Sequence, residues 1–430
     1  MSDEPDNPFK GTPFEAMFQQ FSGAAGPGGA GGVDLNAIFA QVQQLLSGSG
    51  DGKPVNWDLA KDIARKTVAA AGDRSVTPTD NERVADAVRL AEHWLDPATT
   101  LPEASATSAA WSRAEWVENT LPVWQTVVDP VAEHVAGAMG GALPAEAQQL
   151  AGPMAGMLRQ LGGSIFGAQV GQALGELAGE VVSSSDIGLP LGPAGQAVLI
   201  PDNVAKFAEG LGLTDEDVRL YLALRECAHQ RLFAGVPWLR QHLFAAVGDY
   251  ASGIEVDSGK IERAMADIDM QNPEAMQEAL AGGLFEPEDS PAQKAALVRL
   301  ETALALVEGW VDDVVREATK DRMPAAVQLA ETVRRRRAAG GPAEQTFATL
   351  VGLQLRPRRL RDAANLWAAV RDARGIDGRD ELWSHPDLLP NATDLDDPIG
   401  FAQHAGELAD IDITDFLTDG EDGDKGPDAK

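Results

Sequence analysis

Glycine recurs at positions 163, 167, 171, 175 and 179, every fourth residue through GSIFGAQVGQALGELAG. On a helix of 3.6 residues per turn this spacing puts all five on one face, where missing side chains let a second backbone approach closely. In a membrane such ladders pair helices. Glu176 and Glu180 in the same stretch point instead to a buried seam in a soluble bundle. The uncharged stretch from Gln160 to Gly175 includes Gln160, Gln169 and Gln172 and falls short of the roughly 20 apolar residues that span a bilayer. No transmembrane segment is expected.

From Val55 to Pro390 the pattern is helical almost throughout, with LDPATTLP, GGALP, GLPLGPAG, QNPEA, FEPEDSP and GGPAE marking the turns. The best strand candidate is AVLIPDNV, Ala197 to Val204, either one arm of a small hairpin or an extended loop. The expected fold is therefore mainly α, a multi-helix body with at most a small β-hairpin and disordered ends. Three regions are expected. Residues 1–50 form a low-complexity arm, 51–390 the helical domain and 391–430 an acidic tail. In the arm, the linker SGAAGPGGAGG separates two short amphipathic segments, one carrying Phe14, Met17, Phe18 and Phe21, the other Leu35, Ile38, Phe39, Val42, Leu45 and Leu46. The tail carries a net charge of −10. Limited proteolysis is expected to trim the chain before about Val33 and after about Phe416.

Charge excludes several functions. A net charge of −31 argues against nucleic acid or anionic lipid as a general partner. The local excess of base from Glu331 to Arg379, which contains the run Arg334 to Arg337, is expected to pair with acidic helices or with the tail. Cys227 is the single cysteine, so neither a disulfide framework nor a Cys-rich zinc site is available, which suits a reducing cytoplasm. The start, MSDEPDNPFKGTPFEAMF, has acid where a signal peptide needs base. No phosphate-cradling glycine motif follows a predicted strand, and the serine-hydrolase G-x-S-x-G is missing.

The most informative stretch runs from Leu213 to Leu243. Thr214 is a good N-cap, Asp215, Glu216 and Asp217 follow in the first turn, and Gly235 and Pro237 end a helix expected to reach about Phe233. Inside it stands Arg225-Glu226-Cys227-Ala228-His229. In H-E-x-x-H, two imidazoles at i and i+4 share a helix face to hold zinc, and the glutamate activates the metal-bound water. Here the second and fifth positions fit and the first does not. Cys227 points to a different face from His229.

With VNWDLAKDIAR, LAEHWLD, GAQVGQALGELAGEV, LPLGPAG, RECAHQRLFAGVPWL, LVEGWVDDVV, LQLRPRRLRDAANLW and LWSHPDLLP in that order, the chain from about Val55 to Pro390 resembles the zincin-like metallopeptidase homologues. These are also called hydrolases of the coenzyme F420 biosynthesis-associated group. The resemblance implies His229 as second zinc ligand, Glu308 as third and Glu226 as general base. Where zinc-binding members carry their first histidine this sequence has Arg225, and where the second motif carries histidine it has Trp310.

A catalytic zinc needs three protein ligands, and His229 and Glu308 are two. A guanidinium about 4 Å from a dication is repelled by roughly 8 kcal/mol at an effective dielectric of 20. The expected protein is thus a pseudoenzyme with a degenerate motif, without zinc or other cofactor, acting in the cytoplasm by binding a peptide or protein. The alternative is an active zinc-dependent peptidase with atypical ligands. If the helices of Arg225 and Glu308 pack as the resemblance implies, the arginine replaces the metal. It would grip Glu308 bidentately, with Glu226 approaching the same charge. The nine tryptophans, Trp111, Trp116 and Trp124 among them, read as core.

Overall fold

The computed structural model describes residues 53–141, 152–252, 254–255, 288–338 and 359–404. The amphipathic segments, the linker and the tail beyond His404 lie outside them. The described residues are mainly helical, as the punctuation pattern requires. No helix among them is long and apolar enough to cross a membrane.

In chain order, α1 is Trp57–Ala71, α2 Pro78–Leu95, β1 Thr107–Ala110, α3 Arg113–Gly141 and α4 Gly152–Ala178. Then come β2 Gln196–Leu199, α5 Pro201–Ala208, α6 Asp215–Gly235, α7 Leu239–Ser252, and β3 Ile254–Glu255 with β4 Glu288–Asp289. The last helices are α8 Pro291–Thr319, α9 Ala326–Ala338, α10 Arg359–Glu381 and α11 Pro398–His404.

The glycine ladder forms the seam between α4 and α1. A Cβ on Gly163 would lie 2.7 Å from Lys53 O, and one on Gly175 2.6 Å from Thr67 Cβ, while Gly167 and Gly171 abut the carbonyls of Asn56 and Ala60 still more tightly. Gly179 lies beyond the end of α4 and leaves the seam. Because the obstruction is backbone, Gly171→Ala should lower stability by about 1–3 kcal/mol. Gly162 has nothing within 4 Å of a built Cβ, so Gly162→Ala should instead gain about 0.5–1 kcal/mol. Chemical denaturation of both variants checks the contrast in sign.

The strand expectation needs correction. Gln196–Leu199 is a strand, but it pairs in parallel with Thr107–Ala110, so it is not a hairpin arm. The intervening α3 and α4 form the long crossover a parallel pair requires. Pro201 then opens α5, so the second half of AVLIPDNV is helical. A further two-residue antiparallel pairing joins β3 and β4. Trp116, Trp124, Trp310, Trp367 and Trp383 are fully buried and Trp111 nearly so, as expected of core residues, whereas Trp57, Trp94 and Trp238 are only partly buried against the core.

Candidate functional site

Helix α6 carries Arg225-Glu226-Cys227-Ala228-His229 through the buried interior. Thr214 caps it by accepting from Asp217 N over 3.1 Å. Every side chain from Tyr221 to Leu232 is buried, so each face meets a different neighbour. Arg225 and His229 face Glu308 of α8. Glu226 and Cys227 do not.

Glu308 receives three cationic or donor groups. Arg225 Nη2 donates to Oε2 over 2.7 Å, and Arg337 Nη1 of α9 lies 2.5 Å from the same oxygen. His229 Nε2 sits 3.1 Å from Oε1, with Nδ1 2.9 Å from Arg225 O. Gly188, at φ 79°, closes the remaining side, where a Cβ would come 3.0 Å from Oε1. Burial pushes the Glu308 carboxyl up, but Arg337, His229 and Arg225 outweigh it and hold the group well below the usual carboxylate range. Asp186 behaves likewise, lowered by Arg336 and Arg337 against the effect of burial.

Two expected details are corrected. Arg225 does not grip Glu308 bidentately: its fork divides, Nη2 going to Glu308 and Nη1 lying 3.7 Å from Asp312 Oδ1. Glu226 does not approach that guanidinium. Fully buried, it accepts from Ser184 Oγ at 2.6 Å, Ser185 Oγ at 2.5 Å, Ser185 N at 3.2 Å, Val198 N at 3.3 Å and Gln230 Nε2 at 3.0 Å. Five neutral donors fix this carboxylate between α6, β2 and the loop leading to Gly188. Glu226 thus anchors the loop that covers Glu308.

Trp310 occupies a separate environment. Its Nε1 donates to Asp380 Oδ1 over 2.8 Å, and the Arg379 guanidinium lies 5.6 Å from its ring. Cys227 is buried, with Sγ near Val88 O. Of the scattered histidines, His242 packs edge-on against Trp238 and His385 caps the turn at Asp387. In the arginine run, Arg335 pairs with Glu331 of its own helix, while Arg336 and Arg337 pair with acidic groups of the body, Asp186 and Glu308. Sequence reasoning located that run but not its targets, and it missed Asp186 and Asp312 entirely. The sole hint was an excess of positive charge too large for its own helix.

The residues present do not fit a zinc ion. Among the described residues no three His, Cys, Asp or Glu side chains gather as a metal requires. Both oxygens of Glu308 are already engaged by Arg225, Arg337 and His229.

In the fold, the chain is similar to a solved structure described as a "putative hydrolase with a novel fold" from Chloroflexus aurantiacus. The TM-score is 0.58 at 22% identity, over 83% of this chain and 100% of that one. A family model described as zincin-like metallopeptidase matches residues 55–402, and the chain belongs to that family. No curated protein matches it.

Proposed function

We propose that this zincin-like protein has exchanged its metal centre for an ion cluster and acts in the cytoplasm by binding a peptide or protein, without zinc-dependent hydrolysis. The observation that carries the reading is the pair of guanidinium groups, Arg225 and Arg337, seated on one oxygen of Glu308 at 2.7 and 2.5 Å. They supply the positive charge a zinc ion would bring, yet they offer no open coordination position and generate no hydroxide. The Glu226 carboxylate has its acceptor sites taken by protein donors, which leaves it poorly placed to receive a proton from water.

Elemental analysis of protein purified without a histidine tag should find far less than one zinc per chain, and a peptide library should be bound without being cleaved. Near-stoichiometric zinc that disappears in His229→Ala would instead favour an active peptidase with atypical ligands. Restoration is the complementary test. Arg225→His supplies the missing imidazole, but Arg337 still occupies Glu308. Arg225→His combined with Arg337→Ala should therefore bind zinc at least about a hundredfold more tightly than the parent, and more tightly than Arg225→His alone. Calorimetric titration with zinc reads both.

A further inference from the structure

Helix α9 is held to the body by charge more than by apolar contact. Its 13 residues, AVQLAETVRRRRA, bury Leu329 fully and Val333 and Ala326 nearly so, while Val327 is 77% exposed. Two buried apolar side chains larger than alanine are too few to offset the ordering of such a helix. The other attachments are polar. Gln328 Nε2 donates to Leu211 O over 2.9 Å. Arg336 donates to Glu180 O and, over 3.1 Å, to Asp186 Oδ2. Arg337 donates to Asp186 O over 2.6 Å and pairs with Glu308. Arg334 Nη1 lies 3.9 Å from Asp312 Oδ2. The arginine end of α9 therefore plugs into the charge cluster of the centre, and Glu308 is left 5% exposed beneath it.

We propose that α9 is a charge-latched strap that opens as a unit and governs access to the Arg225–His229–Glu308 centre. Local opening is drawn from elements with few buried apolar contacts. Helix α9 has that character, whereas α6 and α8 are buried along most of their length and stay in place. The strap stands independently of whether the centre binds zinc or of what the protein recognises.

Hydrogen exchange with mass spectrometry on the full chain, combined with carbodiimide-driven labelling of carboxylates by glycine ethyl ester, tests this. Amides of 326–338 should exchange faster than those of α6. Arg336→Ala should accelerate 326–338 by about tenfold and leave α1 and α4 unchanged. Arg336 contacts Glu180 and Asp186, not Glu308, so a rise in Glu308 labelling with unchanged exchange of 180–188, the loop that covers Glu308 from the other side, reads release of the strap, and a rise that tracks 180–188 instead would overturn it. Asp186→Asn removes the same ion pair from the other side and should reproduce both changes should Arg336→Ala prove unstable. Exchange of 326–338 as slow as that of α6 would overturn the proposal, as would unchanged Glu308 labelling when 326–338 loosens.

Discussion

Replacing Glu308 with alanine is expected to lower the free energy of unfolding by about 3–5 kcal/mol, read as a shift in the denaturation midpoint. The loss comes less from a missing attraction than from what remains. Arg225 is 6% exposed, and without the carboxylate its guanidinium and that of Arg337 are left close together with no counter-charge between them. An intact buried pair is near neutral against an apolar substitute, but a half-pair is costly. Glu308→Gln should fall between the two, since the amide keeps the shape and an acceptor oxygen while losing the charge. A loss of under about 0.5 kcal/mol in Glu308→Ala, the range of an ordinary surface change, would show that the cluster is not holding α6, α8 and α9 together.

Asp313→Ala should cost a comparable amount, about 3–5 kcal/mol, through a second charge network on the same helix. Asp313 is fully buried, as is Arg379, whose Nη1 lies 2.9 Å away. Arg371 Nε approaches it at 3.1 Å, and Arg316 pairs with it one turn along α8. Arg379 in turn donates to Asp380 Oδ1 and Ala98 O, both over 2.8 Å, and Asp380 accepts from Trp310 and Thr99. One aspartate thus closes a network that ties α8, α10 and the segment after α2. Calorimetric unfolding should show a single transition moved to lower temperature. Asp313→Asn should be milder, because the amide oxygen can still accept from Arg379.

The local parts of this structure were legible in the sequence because their signals are local. Thr214, the acids after it and Gly235 mark α6 to within about two residues, since a cap and a breaker act over one turn. The glycine spacing identified α4 and its smooth face. It could not say that α1 is the partner, because three of the four glycines meet backbone carbonyls first, which no sequence pattern distinguishes. Strand β1, TSAA, carries no alternation of apolar and polar residues and exists through its pairing with β2. The convergence of Arg225, His229 and Glu308 followed from family resemblance, not from spacing. Arg337 lay in a run expected to pair with acidic groups, but its place on Glu308 was not foreseen. A charge run shows where base is abundant, while its partners are fixed by how α9 crosses the ends of other elements.

The seam between α1 and α4 has a genetic consequence. Any single-base change that alters a glycine codon to another amino acid introduces at least a Cβ atom. At Gly163, Gly167, Gly171 and Gly175 that atom lands within 3.0 Å of α1 or the segment leading into it. No conservative neighbour therefore exists in codon space for these four positions. Elsewhere in the core, a leucine can drift to valine or methionine and be accommodated by repacking. Here the contact surface is made of absent side chains, so drift can only add to it, and the two helices can diverge in sequence elsewhere while this line between them stays fixed.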